Sequence, residues 1–286
     1  MIWWMRKFNT KGGGPIQFTG FDMQYHLVAL ENLQNFAEKY DLTFRSKVDT
    51  LSVLLDQLKI EGPRTNEIKD KIALIKLKCA EVLTYLVTNN EKISKSLSES
   101  EYKWLIQNAN ILIQRFELAE RAYEGSTYRD ESMTKNISWI LDNNHDAKIV
   151  LWAHNGHIMK YSGVMGGFLS KKYRDEYYNI GFLSNRGTYT AKNSTRISSN
   201  NILTEGKPGS FEYSFHKTGI PIFYLDFKQV NENESESKWL TNKLNFRNIG
   251  ALTMENQFMP AKISKLFNAI IYIDSSKASN CFDVTK

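Results

Sequence analysis

The spacing of apolar residues separates a mostly helical first half from a second half in which helices and strands alternate. Between residues 25 and 124 the apolar positions recur about every 3.6 residues, which predicts roughly four helices and no strand. A break at residues 61–63 separates two of these helices, and Thr65 is available to cap the second. Ser98 and Glu101 have the spacing of a capping box at the start of the next.

Short apolar runs predict the strands of a sheet. Residues 16–22 alternate apolar and polar side chains, and residues 147–153 form the nearly continuous apolar run of a buried parallel strand. The same reasoning predicts strands at 177–183, 221–227 and 269–274, and helices at 130–143 and 210–217. We therefore expect an α/β fold with a mainly parallel central sheet and a large helical insertion.

The pattern also predicts how the chain is organised. Residues 1–24 should begin the α/β core, residues 25–124 should form the helical insertion, and residues 125–286 should complete the core and carry a histidine motif. Residues 2–9 resemble the tail of a helix that three glycines and Pro15 bring to an end. The polar stretch at 231–238 is expected to be a surface loop.

Composition and charge narrow the classes of function. The net charge of +6 comes from 37 basic and 31 acidic residues scattered along the chain, so we expect no nucleic-acid partner. No run of about 18 apolar residues occurs, so we expect no membrane span and a cytoplasmic protein. Cys79 and Cys281 lack the spacing of a disulfide framework or a metal site and are interpreted as small apolar residues. The oligomeric state stays open.

The strongest candidate site is the block from Trp152 to His157. It follows the predicted strand at 147–153, and catalytic groups of open α/β sheets gather at the carboxyl ends of strands. Gly156 permits a sharp turn that would let His154 and His157 face one cleft. The alternative is one structural and one exposed histidine.

Other candidates carry weaker signals. His145 lies in a polar turn, and His216 lies on a short amphipathic helix; a surface position is expected for both. His26 lies at a strand-to-helix junction, and Arg129 precedes a helix, where its guanidinium could bind a carboxylate or an oxyanion. The glycine pair after Met165 lacks the context of a phosphate-binding loop, so no nucleotide cofactor is expected.

Several of these blocks occur in order in one known family. The chain resembles the erythromycin esterase-like family over nearly its whole length, and the Ala-His-Asn-x-His block is the most specific part of the resemblance. The matching blocks lie at residues 20–24, 128–130, 133–137, 152–157, 165–169, 178–182 and 267–273.

The resemblance implies a fold, an activity and a site. It implies an α/β core with a helical subdomain and metal-independent hydrolysis of a macrolide lactone ester. The family's proposed site joins a Gly-Glu-x-x-His-Gly segment, an upstream glutamate and the histidines that map onto His154 and His157. No His-Gly dipeptide exists in this sequence, and Trp3 to Arg6 resembles the helix after the upstream glutamate. We therefore expect a truncated chain with an incomplete site.

The resulting expectation is a carboxylic ester hydrolase of the macrolide-resistance type that uses activated water and a small-molecule ester substrate. The resemblance implies an upstream histidine as base, His154 as its partner or oxyanion donor, and His157 as a supporting donor or substrate contact. Arg129, Asn155 and His26 are further candidates for the substrate or the oxyanion, and no metal or cofactor is expected. The alternatives are a non-catalytic small-molecule-binding protein and a metallohydrolase that uses His154 and His157 as ligands.

Overall fold

The computed structural model describes residues 1–58, 65–121, 125–193, 197–231 and 233–279. The chain divides into two compact units, Met1–Ala147 and Lys148–Lys286. Each unit contains its own cluster of buried apolar side chains. The break predicted at residues 61–63 and the side chain of Cys281 lie outside the described residues.

The first unit is helical throughout its described elements. Among the described residues between 25 and 124 every regular element is a helix, as the apolar spacing predicts. The helices of this unit are α1 (Ile2–Thr10), α2 (Leu27–Tyr40), α3 (Leu42–Asp56), α4 (Asn66–Thr88), α5 (Asn90–Ile93), α6 (Glu99–Arg121) and α7 (Gly125–Asp142).

Local capping explains where several of these helices begin. The Thr65 hydroxyl accepts a hydrogen bond from the Ile68 backbone N–H at 3.3 Å, so Thr65 caps α4 as predicted. Ser98 and Glu101 form the predicted capping box at the start of α6, because each side chain accepts the other's backbone N–H.

The core of the first unit lies among α2 to α6. Phe44, Leu112 and Cys79 are fully buried there, in a cluster of apolar side chains that share the inward faces of their helices. Burial raises the pKa of the Cys79 thiol to about 12, so it packs as an apolar residue, as predicted.

The strands of the second unit are β1 (Ile180–Lys192), β2 (Ile197–Leu203), β3 (Ile222–Asp226), β4 (Leu244–Arg247), β5 (Phe258–Ala261) and β6 (Ala269–Ser276). They form a four-stranded sheet with strand order β2-β1-β6-β3 and a separate β4–β5 hairpin. Its α-helices are α8 (Asn155–Ile158), α9 (Met165–Tyr173), α10 (Phe211–His216) and α11 (Ile263–Leu266).

One face of this sheet is packed and the other carries exposed apolar side chains. Leu183, Ile270 and Tyr272 are buried on the first face with Phe211 and Phe215 of α10. Across the sheet, Phe182, Ile271 and Tyr224 stand in register on β1, β6 and β3. Of these, Phe182 and Tyr224 are exposed.

The sheet is mixed, where a mainly parallel one was expected. β1 and β6 are parallel, but β1–β2 and β3–β6 are antiparallel. Only residues 193–196 separate β1 from β2, and so short a connection leaves no room for a crossover helix. The strands predicted at 221–227 and 269–274 are confirmed, and the one predicted at 177–183 begins at Ile180 and is longer.

Two predicted strands are absent from the described elements. Residues 16–22 and 147–153 have no strand assignment. Val150 is 92% exposed and Trp152 is 79% exposed, so the second run is not buried either. An apolar run forms a strand only where a neighbouring backbone supplies ladder hydrogen bonds, and no described strand pairs with these segments.

Candidate functional site

The histidine block forms a tight turn at the start of a short helix. His154 occupies the N-cap position of α8 with extended backbone torsions, and its Nδ1 accepts a hydrogen bond from the Gly156 backbone N–H at 3.0 Å. His157 lies in the same helical turn, half-buried, and its backbone N–H donates to the His154 carbonyl at 2.9 Å. The sequence thus folds locally so that one imidazole caps the turn that carries the other.

The second nitrogen of His154 is fixed by a loop that is distant in sequence. Nε2 forms a short hydrogen bond to the backbone carbonyl of Ile249, in the segment after β4. Because a carbonyl oxygen only accepts hydrogen bonds, Nε2 carries the proton and Nδ1 accepts. His154 is therefore placed as a neutral imidazole with a defined tautomer.

The surroundings of His154 favour this neutral form. Partial burial of the ring is the largest influence and lowers the pKa of His154 below its usual value. The bond to Ile249 acts in the opposite direction, and the neighbouring His157 lowers the pKa further. A neutral imidazole near neutral pH is the form that can accept a proton.

Asn155 ties the turn to the edge of β1. Its side-chain Nδ2 donates to the Phe182 carbonyl at 2.6 Å, and its Oδ1 accepts from the Phe182 backbone N–H at 3.0 Å. The Trp152 and Phe182 rings lie 5.9 Å apart. Both the oxygen and the nitrogen of the Asn155 side-chain amide are hydrogen-bonded to Phe182, so Asn155 anchors the histidine turn.

A buried arginine network supports the loop that reaches His154. Arg247, at the end of β4, donates to the carbonyls of Ser184 and Asn185 at 2.9 Å each and bonds closely to the side chain of Gln257. Its backbone N–H donates to Glu212 Oε1 at 2.7 Å. Burial raises the pKa of Glu212 to about 7, and Glu212 Oε2 has no partner among the described residues.

Sequence reasoning missed this loop and its network. Asn248 and Ile249 lie more than ninety positions after His154, and their pattern in the sequence carries no motif. The feature that marks this loop is a buried arginine beside a buried glutamate. Burial is visible only after folding, so the sequence offered no usable signal.

Two candidates lie in the first unit. Arg129 forms a two-point ion pair with Asp22, with Nη2–Oδ2 at 2.7 Å and Nε–Oδ1 at 3.2 Å. His26 is half-buried before α2, with its ring centroid 5.8 Å from that of Phe116. Burial, followed by the charge of Arg115, lowers the pKa of His26.

The remaining histidines differ from each other. His145 is exposed, as predicted. His216 also reaches the surface, but its Nδ1 bonds to Asp274 Oδ1 at 2.6 Å. The same carboxylate accepts from Tyr272 at 2.9 Å and pairs with Arg186 at 3.1 Å. Among the described residues there is no cluster of three or more histidine, cysteine, aspartate or glutamate side chains that could hold a metal ion.

The second unit thus combines a mixed sheet with a histidine turn whose residues match a block of one known family. A sequence profile of the erythromycin esterase family matches residues 1–276. The chain belongs to the erythromycin esterase family, as its sequence blocks predict. Family membership supports a hydrolase-like function.

Individual relatives agree with this assignment. Over 168 residues the chain is 26% identical to erythromycin esterase type II of Escherichia coli, a match that covers 53% of this chain and 37% of that relative. The chain thus spans less than half of that relative's length. Within the described part of this chain, no helix is long and apolar enough to cross a membrane.

Solved structures share the fold. A succinoglycan biosynthesis protein matches with a TM-score of 0.74 and 20% identity over 97% of this chain and 69% of its own. A Bacillus cereus protein matches with a TM-score of 0.73 and 21% identity over 96% and 70%. A mutant of erythromycin esterase EreC in its open conformation matches with a TM-score of 0.67 and 15% identity over 97% and 73%. The α/β fold class with its helical part is thereby confirmed.

Proposed function

We propose that this protein hydrolyses carboxylic esters of small molecules with an activated water, and that macrolide lactones are within its substrate class. The family supports hydrolysis, and the macrolide substrate is carried over from relatives named erythromycin esterase. No metal or cofactor has a role in this proposal. The reaction needs a group that accepts a proton from water, donors for the tetrahedral oxyanion, and a proton for the leaving alkoxide.

The observation that carries the proposal is the state of His154. It is a neutral imidazole with a lowered pKa and a fixed ring orientation, in the block most specific to the family. Such a ring accepts a proton when water attacks the ester and returns it to the leaving oxygen. We therefore assign proton transfer to His154.

The other candidates take supporting roles in this proposal. His157 is assigned to the oxyanion or to contact with the substrate. Asn155 positions the turn through Phe182, and Arg129 holds Asp22 by the two-point ion pair. His26 lies in the first unit, where burial lowers the pKa of its imidazole, and its role stays a prediction from the sequence.

Absence of a His-Gly dipeptide from the sequence favours low turnover by this chain. The family's proposed base lies in such a dipeptide, and groups that act as a unit lose most of their joint effect when one is missing. The same observation favours a second candidate function, binding of a small molecule without hydrolysis.

The test is hydrolysis of an aryl ester and of a macrolide by purified protein. An aryl ester is included because its phenolate leaves without protonation, so weak catalysis becomes measurable. We expect His154→Ala to lower kcat/KM for either substrate by about 100-fold or more.

His145→Ala is the matched control, because His145 is exposed and outside the histidine block. It should retain the wild-type rate. Equal hydrolysis by wild type and His154→Ala would overturn the assignment. Macrolide binding without any turnover above the buffer rate would instead support the non-catalytic function.

A further inference from the structure

Asn248 lies beside the histidine turn, and one polar atom of its side chain lacks a hydrogen bond. Its Oδ1 is buried and has no hydrogen-bond partner among the described residues. Its Nδ2 contacts Met259 Sδ at 3.1 Å, and its backbone N–H donates to the Gln257 carbonyl at 2.9 Å. A buried amide oxygen left unpaired is unfavourable, so its retention calls for a partner that forms in another state of the site.

One candidate for that partner is His154. A Cβ placed on Gly156 would lie 3.1 Å from His154 Nδ1 and 3.9 Å from Asn248 Oδ1. The two atoms therefore border the same small space, which stays open because residue 156 has no side chain. Because the unpaired oxygen is buried, we expect its hydrogen-bond donor to be a group of the protein.

Protonation of His154 creates the donor that this oxygen lacks. In the neutral ring, Nδ1 accepts from the Gly156 N–H and Nε2 donates to Ile249. In the imidazolium both nitrogens donate, so the bond to the Gly156 N–H is lost while the bond to Ile249 is kept. The new Nδ1–H then needs an acceptor.

We propose that Asn248 is a positioning residue for His154. The ring takes up and releases its proton at Nδ1, and while Nδ1 is protonated its N–H donates a hydrogen bond to Asn248 Oδ1. Nε2 stays protonated throughout, held by the Ile249 carbonyl. In catalysis, which rests on the proposed function, Nδ1 gains the proton that leaves the attacking water and later transfers it to the departing alkoxide. The ring thus returns to its neutral form.

Neither His157 nor Asn155 supplies the acceptor that the Nδ1–H of His154 needs. The titratable group that acts on His154 is His157, whose charge opposes protonation. The anchoring amide of Asn155 is already bonded to Phe182. Asn248 follows Arg247 directly, so the buried arginine network anchors the backbone that carries this amide.

The test is a titration of the His154 ring nitrogens by ¹⁵N–¹H NMR of the full chain. Wild type should show the Nε2–H tautomer when neutral, with Nδ1 titrating. Asn248→Leu removes the acceptor and should lower the midpoint by about one pH unit, a tenfold loss in the protonation constant. Asn248→Asp restores an acceptor, so its midpoint should equal or exceed that of wild type.

Matched variants separate this role from a structural one. Asn245→Leu alters an exposed asparagine of β4 and should leave the titration unchanged. Gly156→Ala fills the space between the two side chains and should lower the midpoint as Asn248→Leu does, which provides the test if the leucine variant fails to fold.

Two results would overturn the proposal: a neutral ring protonated at Nδ1, or an unchanged midpoint in folded Asn248→Leu or Gly156→Ala. The titration does not require turnover. Failure of ester hydrolysis with the expected titration would therefore contradict the proposed function and leave this inference standing.

Discussion

At the scale of single residues, buried polar groups show how the second unit holds its candidate site. Glu212 is fully buried on α10, yet one carboxylate oxygen has no partner among the described residues. Desolvation raises its pKa to about 7, and the bond from the Arg247 N–H only partly offsets that effect. The folded protein therefore holds a proton here that the unfolded chain releases at lower pH.

This proton gives the protein a stability that depends on pH. Between the unfolded value of 4.5 and about 7, the folded state binds more protons, so the free energy of unfolding falls as pH rises through this window. The total loss is on the order of 3 kcal/mol. Glu212→Gln keeps an oxygen to accept from Arg247 and should remove this dependence in urea unfolding at pH 5 and pH 8.

Glu205→Gln is the control, because Glu205 is 70% exposed and should not change the slope. An unchanged loss of stability between the two pH values in Glu212→Gln would show that Glu212 is ionised in the fold.

At the scale of elements, α9 is held against the end of the histidine turn by two glycines. A Cβ on Gly166 would lie 2.1 Å from the Ile158 carbonyl oxygen, and one on Gly167 would lie 1.9 Å from that of Tyr161. Only a residue without a side chain permits the two backbones to approach this closely. The glycine pair therefore packs backbone against backbone.

Gly167→Ala should therefore push α9 away from residues 158–162. We expect a loss of about 1–3 kcal/mol in unfolding free energy, the usual cost of overpacking, measured by chemical denaturation. Gly20→Ala is the matched control, because a Cβ there meets nothing within 4 Å. Stability equal to wild type in Gly167→Ala would contradict this close contact.

At the scale of the whole molecule, two separate cores sustain two compact units. Phe44 is fully buried in the first core and Phe246 in the second. Truncation of either side chain should cost about 3–5 kcal/mol, because it leaves a cavity as well as removing apolar contact.

Hydrogen exchange should locate each loss. We expect Phe44→Ala to speed amide exchange chiefly within Met1–Ala147, and Phe246→Ala chiefly within Lys148–Lys286. Each variant serves as the control for the other. Acceleration of equal size in both units by either variant would show that the cores unfold as one.

The sequence by itself determined the family and the helices of the described residues between 25 and 124. Thr65, Ser98 and Glu101 fixed helix starts through bonds that span a few residues, and the apolar spacing identified the helices. The histidine block was visible because its residues are contiguous. These features depend on neighbours along the chain, so the linear pattern contains them.

Only the tertiary structure decided the rest, because it depends on partners that are distant in sequence. Whether residues 147–153 pair as a strand, and whether β3 runs antiparallel to β6, depends on which backbones meet. The tautomer of His154 depends on the Ile249 carbonyl, and the pKa of Glu212 depends on burial beside Arg247. Hydrogen bonds and desolvation act over a few ångströms in space, and separation along the chain does not record that distance.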